Sequence, residues 1–181
     1  MFERLTEQSK QVIRVAQDAA ISMRNDFIGT EHFLLGLAAT SGAAGEVLDA
    51  QGAELGLVRA EVIRQSEAAG VSRTGGQVAI DALSSIGIDV TEIQRRADDS
   101  FGRGVFLYPR PAFTVQGKQL LAESLRESLE LGDERIDTGH ILLGLLDADP
   151  DSIAAQTLAA LGVDTAALRS ATLDRLARRA S

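Results

Sequence analysis

Residues 28–37 read Ile-Gly-Thr-Glu-His-Phe-Leu-Leu-Gly-Leu, and the same pattern returns 108 positions later. Residues 136–145 read Ile-Asp-Thr-Gly-His-Ile-Leu-Leu-Gly-Leu, so seven of the ten residues are identical. A match at a fixed spacing is the signature of an internal repeat and takes precedence over any assignment of single elements. The sequence therefore predicts two copies of one folding unit.

The match extends on both sides of this stretch. Residues 6–12 align with residues 114–120 at the same spacing, and both segments begin with Thr and carry Lys at the fifth position. After two extra residues, 47–52 align with 157–162 at a spacing of 110. We therefore expect one repeat over residues 1–69 and a second over residues 113–181.

The segment between them, residues 70–112, is more than a linker. Residues 83–89 resemble residues 158–164, and Ile93 falls where Leu168 falls in the second repeat. This favours a third copy of the second half of the repeat, as a pair of helices. The alternative is that Leu-x-x-x-Gly followed by a helix is a common helix ending without further meaning. Gly- and Pro-containing linkers are expected at 72–76 and 102–111.

Both repeats have the apolar spacing of helices. Val12, Ala16, Ala19 and Met23 recur every three or four residues, which places them on one helix face. Threonines stand at the expected N-cap positions of the first two helices of each repeat: Thr6, Thr30, Thr114 and Thr138. Further helix ends are predicted at Gly52, Asp89 and Asp164. We expect an all-α protein with four helices in each repeat and a partly helical insert.

Composition excludes several classes of function. The formal net charge is −8, which opposes binding to nucleic acids or to anionic membranes. The chain has no cysteine, so disulfides, cysteine nucleophiles and cysteine metal sites are excluded. No apolar run approaches the length of a membrane span, and the first residues lack the apolar core of a signal peptide. We expect a cytoplasmic protein without a cofactor.

The repeated motif resembles a known family. Phe2-x-x-Leu5-Thr6 followed by the motif at 28–37 is similar to the N-terminal domain of the Clp/Hsp100 unfoldases, and among them to the ClpC type. The resemblance implies two four-helix units related by pseudo-twofold symmetry. The unfoldases continue into ATPase modules with a Gly-x-x-x-x-Gly-Lys loop, which neither Lys10 nor Lys118 completes. The expectation is a free-standing N-terminal domain without a motor.

The resemblance also implies a binding site for phosphorylated arginine. In ClpC-type domains the residue matching Glu31 holds the guanidinium group, and the phosphate is received near the start of the first helix, here around Thr6. A carboxylate suits a guanidinium and a helix N-terminus suits a phosphate. The second repeat keeps Thr114 but has Gly139 in place of the glutamate. A favourable charge in the first turn of a helix is a sufficient structural explanation for Glu31.

A second candidate site is an apolar groove between the repeats. In the family, apolar residues at the repeat starts line a groove that receives adaptors, substrates or small peptides. The matching residues here are Phe2, Gln17, Phe113 and Lys118. The structural alternative is a hydrophobic staple, in which the residue before the N-cap packs back on its own helix.

His32 and His140 are the only histidines and occupy equivalent positions in the two repeats. We interpret them as buried residues hydrogen-bonded to the backbone at a helix start, and we expect no metal site. Near the other end of the chain, Arg175, Arg178 and Arg179 fit a helix C-terminus, where positive charge is favourable.

Two hypotheses of function follow. The first is a non-catalytic module that binds substrate proteins, including arginine-phosphorylated ones, or adaptors and peptides in ATP-dependent proteolysis. Its partners would include Clp unfoldase or protease components. The second is a decoy that competes with the N-terminal domain of an unfoldase for adaptors or toxic peptide ligands. A hydrolase is disfavoured, since no Gly-x-Ser-x-Gly motif is present.

Overall fold

The computed structural model describes residues 2–70, 81–102 and 111–179. After a short 3-10 turn at Phe2–Arg4, the first repeat contains α1 Glu7–Ser22, α2 Thr30–Ala39, α3 Ala43–Ala50 and α4 Leu55–Ala68. The insert contains α5 Val90–Phe101, preceded by helical residues at 81–85. The second repeat contains α6 Val115–Glu130, α7 Thr138–Leu146, α8 Ile153–Ala160 and α9 Thr165–Arg179.

The all-α prediction is confirmed, with four helices in each repeat. One detail differs, because β1 Phe27–Ile28 pairs in parallel with β2 Ala112–Phe113. Segments of two residues are too short to show an alternating apolar pattern. Among the described residues, no helix is long and apolar enough to cross a membrane.

The predicted N-caps are confirmed for α1 and α6 but are wrong by one residue for α2 and α7. Thr6 and Thr114 cap α1 and α6, since their side chains accept the backbone N–H of Ser9 and Gly117. The N-caps of α2 and α7, however, are Gly29 and Asp137. The expected caps Thr30 and Thr138 are instead the first helical residues, because the extended backbone conformation lies one position earlier.

Helices α2 and α7 form the centre of the molecule. Every residue from Thr30 to Leu37 is buried in α2, and every residue from Thr138 to Leu145 is buried in α7. A helix that is apolar on all sides has to be covered on all sides. Their sequence, the motif that repeats, is therefore the sequence of the core.

The glycine of each Leu-Leu-Gly-Leu motif lets two helices approach closely. A Cβ atom on Gly36 would lie 2.5 Å from the carbonyl oxygen of Val12 in α1. A Cβ atom on Gly144 would lie 2.6 Å from the carbonyl oxygen of Leu120 in α6. Both contacts are with backbone, which cannot move aside as a side-chain tip can. The backbones of the first two helices of each repeat therefore pack in direct contact at this glycine.

The later helices cross between the repeats. Helix α4 packs on α8 as well as on α2, and α9 packs on α3 as well as on α7. The backbone crosses in the same way, because Leu5 bridges to Ile136 and Ile28 pairs with Phe113. The two repeats therefore share one interlocked core.

The insert repeats the local geometry of a helix ending. Gly87 has a φ of +86°, beside +82° at Gly52 and +72° at Gly162, a left-handed conformation that favours glycine. Asp89 caps α5 by accepting the N–H of Glu92 at 3.0 Å, as predicted. The same kind of ending also follows α6, so it does not single out a half-repeat. The half-repeat stays a prediction. The linker at 72–76 lies outside the described residues, as does the linker at 102–111 except for its two end residues.

The close approach at the motif glycine predicts the effect of a single methyl group. Gly36→Ala should lower the free energy of unfolding by about 1–3 kcal/mol, because the added Cβ meets backbone in a packed core. The matched control is Gly56→Ala in α4, where an added Cβ meets nothing within 4 Å. That substitution should stabilise the protein by about 0.5–1 kcal/mol through helix propensity. Urea denaturation measures both, and equal effects of the two variants would contradict the packing described here.

Candidate functional site

Glu31 is the second residue of α2, and its side chain turns back over the start of its own helix. The residue is only 5% exposed. Its carboxylate lies against Gly29, since a Cβ placed on that glycine would be 2.9 Å from the Glu31 Cδ. Only glycine at position 29 leaves room for this conformation. A larger residue at position 29 would therefore displace the Glu31 carboxylate from its place over the helix start.

This carboxylate has little to neutralise it. Burial raises the pKa of Glu31, while bonds to its own backbone N–H and to the Thr30 side chain act in the opposite direction. Among the residues that the structure describes, no Lys or Arg nitrogen lies within 4 Å of it. His32 Nδ1 is 3.6 Å away, but burial lowers the pKa of His32 to about 4, so this ring is neutral at pH 7. An unpaired buried carboxylate is costly and marks a candidate binding site.

The histidines have the structural role predicted for them. Gly29 donates its backbone N–H to His32 Nδ1 at 3.0 Å, and Asp137 donates to His140 Nδ1 at 2.9 Å. The other ring nitrogen of His32 lies 3.1 Å from Asn25 Oδ1, whereas that of His140 lies 3.0 Å from an Asp133 carboxylate oxygen. Both rings thus hold the loop before a central helix. No group of three or more possible metal ligands occurs in the described part of the chain.

The site of Glu31 with Thr6 stays a prediction, but the backbone contacts of the two helix starts favour Thr114 as the neighbour of the Glu31 loop. Thr6 N–H donates to Ile136 O at 3.1 Å, so the start of α1 lies against the loop of the second repeat. Thr114 N–H donates to Ile28 O at 3.1 Å, which places the start of α6 against the loop that carries Glu31. The reason is the crossed topology, which pairs each loop with the first helix of the other repeat. The helix start beside the Glu31 loop is therefore that of Thr114.

The starts of α6 and α1 also differ in charge. The first turn of α6 holds no acidic residue, and Lys118 is exposed one turn into the helix. The first turn of α1 contains Glu7, which pairs with Lys10 at 2.7 Å. Backbone N–H groups at a helix N-terminus attract anions, and a carboxylate in the first turn competes for them. The start of α6 is thus the better anion receptor.

The second repeat has a different arrangement at the equivalent loop. A cleft of about 250 Å³ there is lined by Thr6, Arg135, Asp137, His140, Leu176 and Arg179, among others. Asp137 caps α7 by accepting the N–H of Gly139 at 3.2 Å. Its other carboxylate oxygen lies 3.3 Å from Arg179 Nη1, so this acid already has a cationic partner. The sequence showed the exchange of Glu31 for Gly139 but not this compensating pair.

The residues of the expected groove are not brought together by any contact described here. Phe113 is half-buried and stacks on Phe33 of α2, with ring centroids 5.9 Å apart. Its ring therefore contacts a helix of the other repeat, and the staple on its own helix stays the structural alternative. Gln17 is half-buried and Lys118 is exposed, and the side chain of Phe2 lies outside what the structure describes. The groove stays a prediction.

Comparison with known proteins agrees with this architecture. The Clp repeat (R) N-terminal domain family matches residues 4–80, 69–149 and 112–181. The crystal structure of the N-terminal domain of the caseinolytic protease associated chaperone ClpD from Arabidopsis thaliana superposes with a TM-score of 0.61 at 23% identity. That superposition covers 97% of this chain and 99% of the other, so the fold is shared over its full extent.

Two larger proteins are also similar in sequence. The negative regulator of genetic competence ClpC/MecB of Bacillus subtilis is 29% identical over 97% of this chain. The chloroplastic chaperone protein ClpC2 of Oryza sativa subsp. japonica is 32% identical over 94%. The chain spans only 17% and 15% of the lengths of these two relatives. With three overlapping family matches that together run from residue 4 to residue 181, the chain belongs to the Clp repeat (R) N-terminal domain family.

Proposed function

We propose that this chain is a non-catalytic recognition module that binds substrate proteins through phosphorylated arginine in a Clp proteolytic system. Clp N-terminal domains are interaction modules that bind substrates and adaptors. The observation that carries the finer proposal is the buried, unpaired carboxylate of Glu31. Burial without a counter-ion costs stability, which the first-turn position and two hydrogen bonds offset only in part, so a ligand that neutralises the carboxylate would explain its burial.

The ligand has to supply a cation to Glu31 and an anion to a nearby helix start. A guanidinium group presents paired N–H donors that match the two oxygens of a carboxylate. A phosphate suits the backbone N–H groups at the start of α6, which Thr114 begins. The start of α6 is joined to the loop of Glu31 by the hydrogen bond from Thr114 to Ile28. Phosphoarginine carries both groups on one side chain, and Lys118 would add to the attraction for the phosphate.

The Glu31 side chain is folded back over the start of its own helix, so it has to rotate outward to meet a guanidinium. The carboxylate lies over Gly29, where it accepts its own backbone N–H. Pairing with a guanidinium replaces that weak bond with two charge-assisted ones. Recognition therefore requires a side-chain movement but no change of the helices.

Removal of the charge at position 31 should weaken binding of the ligand, while a glutamine there keeps the size and shape of the side chain. Glu31→Gln should cost about 1.5–3 kcal/mol, roughly a ten- to hundredfold increase in Kd for a phosphoarginine peptide, because a hydrogen bond to a charged group is lost. Isothermal titration calorimetry at pH 7.5 measures this. The matched control is Glu54→Gln, an exposed glutamate whose side chain makes no cap bond.

Unchanged binding in Glu31→Gln, or equal losses in both variants, would remove Glu31 from the proposed site. A peptide with unmodified arginine tests the phosphate half of the proposal. That peptide should bind at least tenfold more weakly, since it offers nothing to the start of α6.

The stability of the protein should show the cost of Glu31 directly. Because burial raises the pKa of this carboxyl above 4.5, the folded state disfavours its ionised form. The destabilisation is absent below pH 4.5, grows as the pH rises through the raised pKa, and is complete above it. Relative to the wild type, Glu31→Gln should therefore gain stability as the pH rises from 4 to 7.

Urea denaturation of both proteins at pH 4, 5, 6 and 7 measures this difference. All other titrating groups are shared, so they cancel in the comparison unless they contact Glu31. A difference that stays constant with pH, or that favours the wild type more at pH 7 than at pH 4, would show that Glu31 is not an uncompensated charge.

The decoy hypothesis uses the same surface. A chain about 30% identical to full-length Clp proteins over nearly its whole length would present a similar surface to shared adaptors or peptides. Excess chain added to an unfoldase–adaptor mixture should then lower the amount of adaptor bound to the unfoldase in a pull-down. Glu31→Gln tests whether this competition depends on the same carboxylate. No displacement at a hundredfold excess would exclude the competitor role for that adaptor.

A further inference from the structure

The two repeats differ at four equivalent positions, and in the second repeat these four residues meet at the start of the central helix. At the start of the central helix, Gly29 and Glu31 in the first repeat correspond to Asp137 and Gly139 in the second. On the last helix, Ser66 and Ala69 correspond to Leu176 and Arg179 at the spacing of 110. The exchange of glutamate for glycine is thus one part of a coordinated set.

Leu176 fills the space that a side chain at position 139 would need. A Cβ atom on Gly139 would lie 2.8 Å from Leu176 Cδ2 and 2.9 Å from its Cγ. Leu176 is 6% exposed and belongs to a small apolar cluster with Ala43 and Leu143. Because the leucine is held by this packing, it cannot swing away to admit a glutamate.

Arg179 forms an ion pair with Asp137, the carboxylate that the second repeat has at this loop. Asp137 accepts hydrogen bonds from Gly139 N–H and from Thr138 Oγ1, and its second oxygen lies 3.3 Å from Arg179 Nη1. Arg179 also lies 3.7 Å from Glu46 of α3. The chain therefore places its own guanidinium where the second repeat would have to receive one from a ligand.

The first repeat has neither the leucine nor the arginine at the equivalent positions of its last helix. Ser66 is small, its residue is 8% exposed, and its buried hydroxyl has no hydrogen-bond partner among the described residues. Ala69 offers no guanidinium at the position of Arg179. Glu31 is correspondingly left without a cation.

We infer that the second loop of this tandem repeat is closed to a guanidinium group, although the cleft beside it is open. Leu176 takes the space that a glutamate at position 139 would need, and Arg179 already pairs with Asp137. The chain then binds one phosphoarginine side chain per molecule, at the loop of the first repeat. The count of one rests on the proposed function, whereas the closure itself is a property of the fold. One-site binding also means that two phosphoarginines on one substrate cannot engage one chain together, so avidity within a single molecule is absent.

The steric closure is tested without any ligand. Gly139→Ala should lower the urea midpoint in the wild-type background, and this loss should shrink clearly in a Leu176→Ala background, because the clashing atoms are gone. The matched control is Leu173→Ala, a partly buried leucine of α9 that packs on the same cluster. Leu173→Ala should not relieve the loss. Additive effects of Gly139→Ala and Leu176→Ala would overturn the steric closure.

The count of sites is tested by calorimetry with a phosphoarginine peptide. The wild type should bind with a stoichiometry of one, and Glu31→Gln should weaken that binding step by roughly ten- to hundredfold. A variant that carries Asp137→Gly, Gly139→Glu, Leu176→Ser and Arg179→Ala should bind two peptides, and circular dichroism verifies that it folds. A wild-type stoichiometry of two overturns the closure while it leaves the proposed function intact.

Other outcomes separate the two proposals. No binding by the wild type overturns the proposed function, and the closure is then decided by the stability cycle alone. A folded fourfold variant that still binds one peptide would show that Leu176 and Arg179 are not what closes the second site.

If the fourfold variant does not fold, Arg179→Ala alone is titrated with free guanidinium. Guanidinium should bind at Asp137 more tightly in this variant than in the wild type. Equal weak binding overturns the electrostatic part.

Discussion

Each loop before a central helix is completed by the first helix of the other repeat, and the rest of the structure depends on this crossed pairing. Thr114 donates to Ile28, and Thr6 donates to Ile136, both at 3.1 Å. Buried backbone groups have to be paired, so neither loop can be buried without its partner helix. Helices α4 and α9 then cross in the same sense and cover α8 and α3. A single repeat would leave its central helix only partly covered, which explains why two copies form one domain.

The crossed pairing also decides what could be predicted from the sequence. The repeat, the helices and the caps at Thr6, Thr114, Asp89 and Asp164 are local features, and they were predicted correctly. The partner of each loop is not predicted, because a contact between residues more than eighty positions apart leaves no trace in local spacing. The resemblance associates Glu31 with Thr6 of the same repeat, whereas a hydrogen bond joins the loop before Glu31 to Thr114 of the other repeat. Likewise, Gly139 was visible as a departure, but its cause lies in Leu176 and Arg179, about forty residues away.

The two repeats use carboxylates in opposite ways. In the second repeat, Glu127 is buried but lies 3.2 Å from Arg169, which also pairs with Asp147. Asp137 has Arg179 in the same manner. The positions equivalent to Glu127 and Asp147 in the first repeat are Ala19 and Ala39, so this ionic network exists in one copy only. The second repeat therefore neutralises its buried acids internally, as expected of a part of the protein that supports the fold.

The first repeat keeps one buried acid that nothing described in the structure neutralises. A carboxylate that served only to cap α2 would need neither burial nor a glycine beneath it, since Asp137 caps α7 from the N-cap position with its side chain partly exposed. The ionised form of Glu31 is desolvated without a counter-ion, whereas the Asp137 carboxylate lies 3.3 Å from Arg179. The net charge of −8 spreads over many exposed acids, which water solvates at little cost. Glu31 differs from them because a bound cation would recover a desolvation cost that is already present, and this makes it the group through which a cationic ligand gains the most.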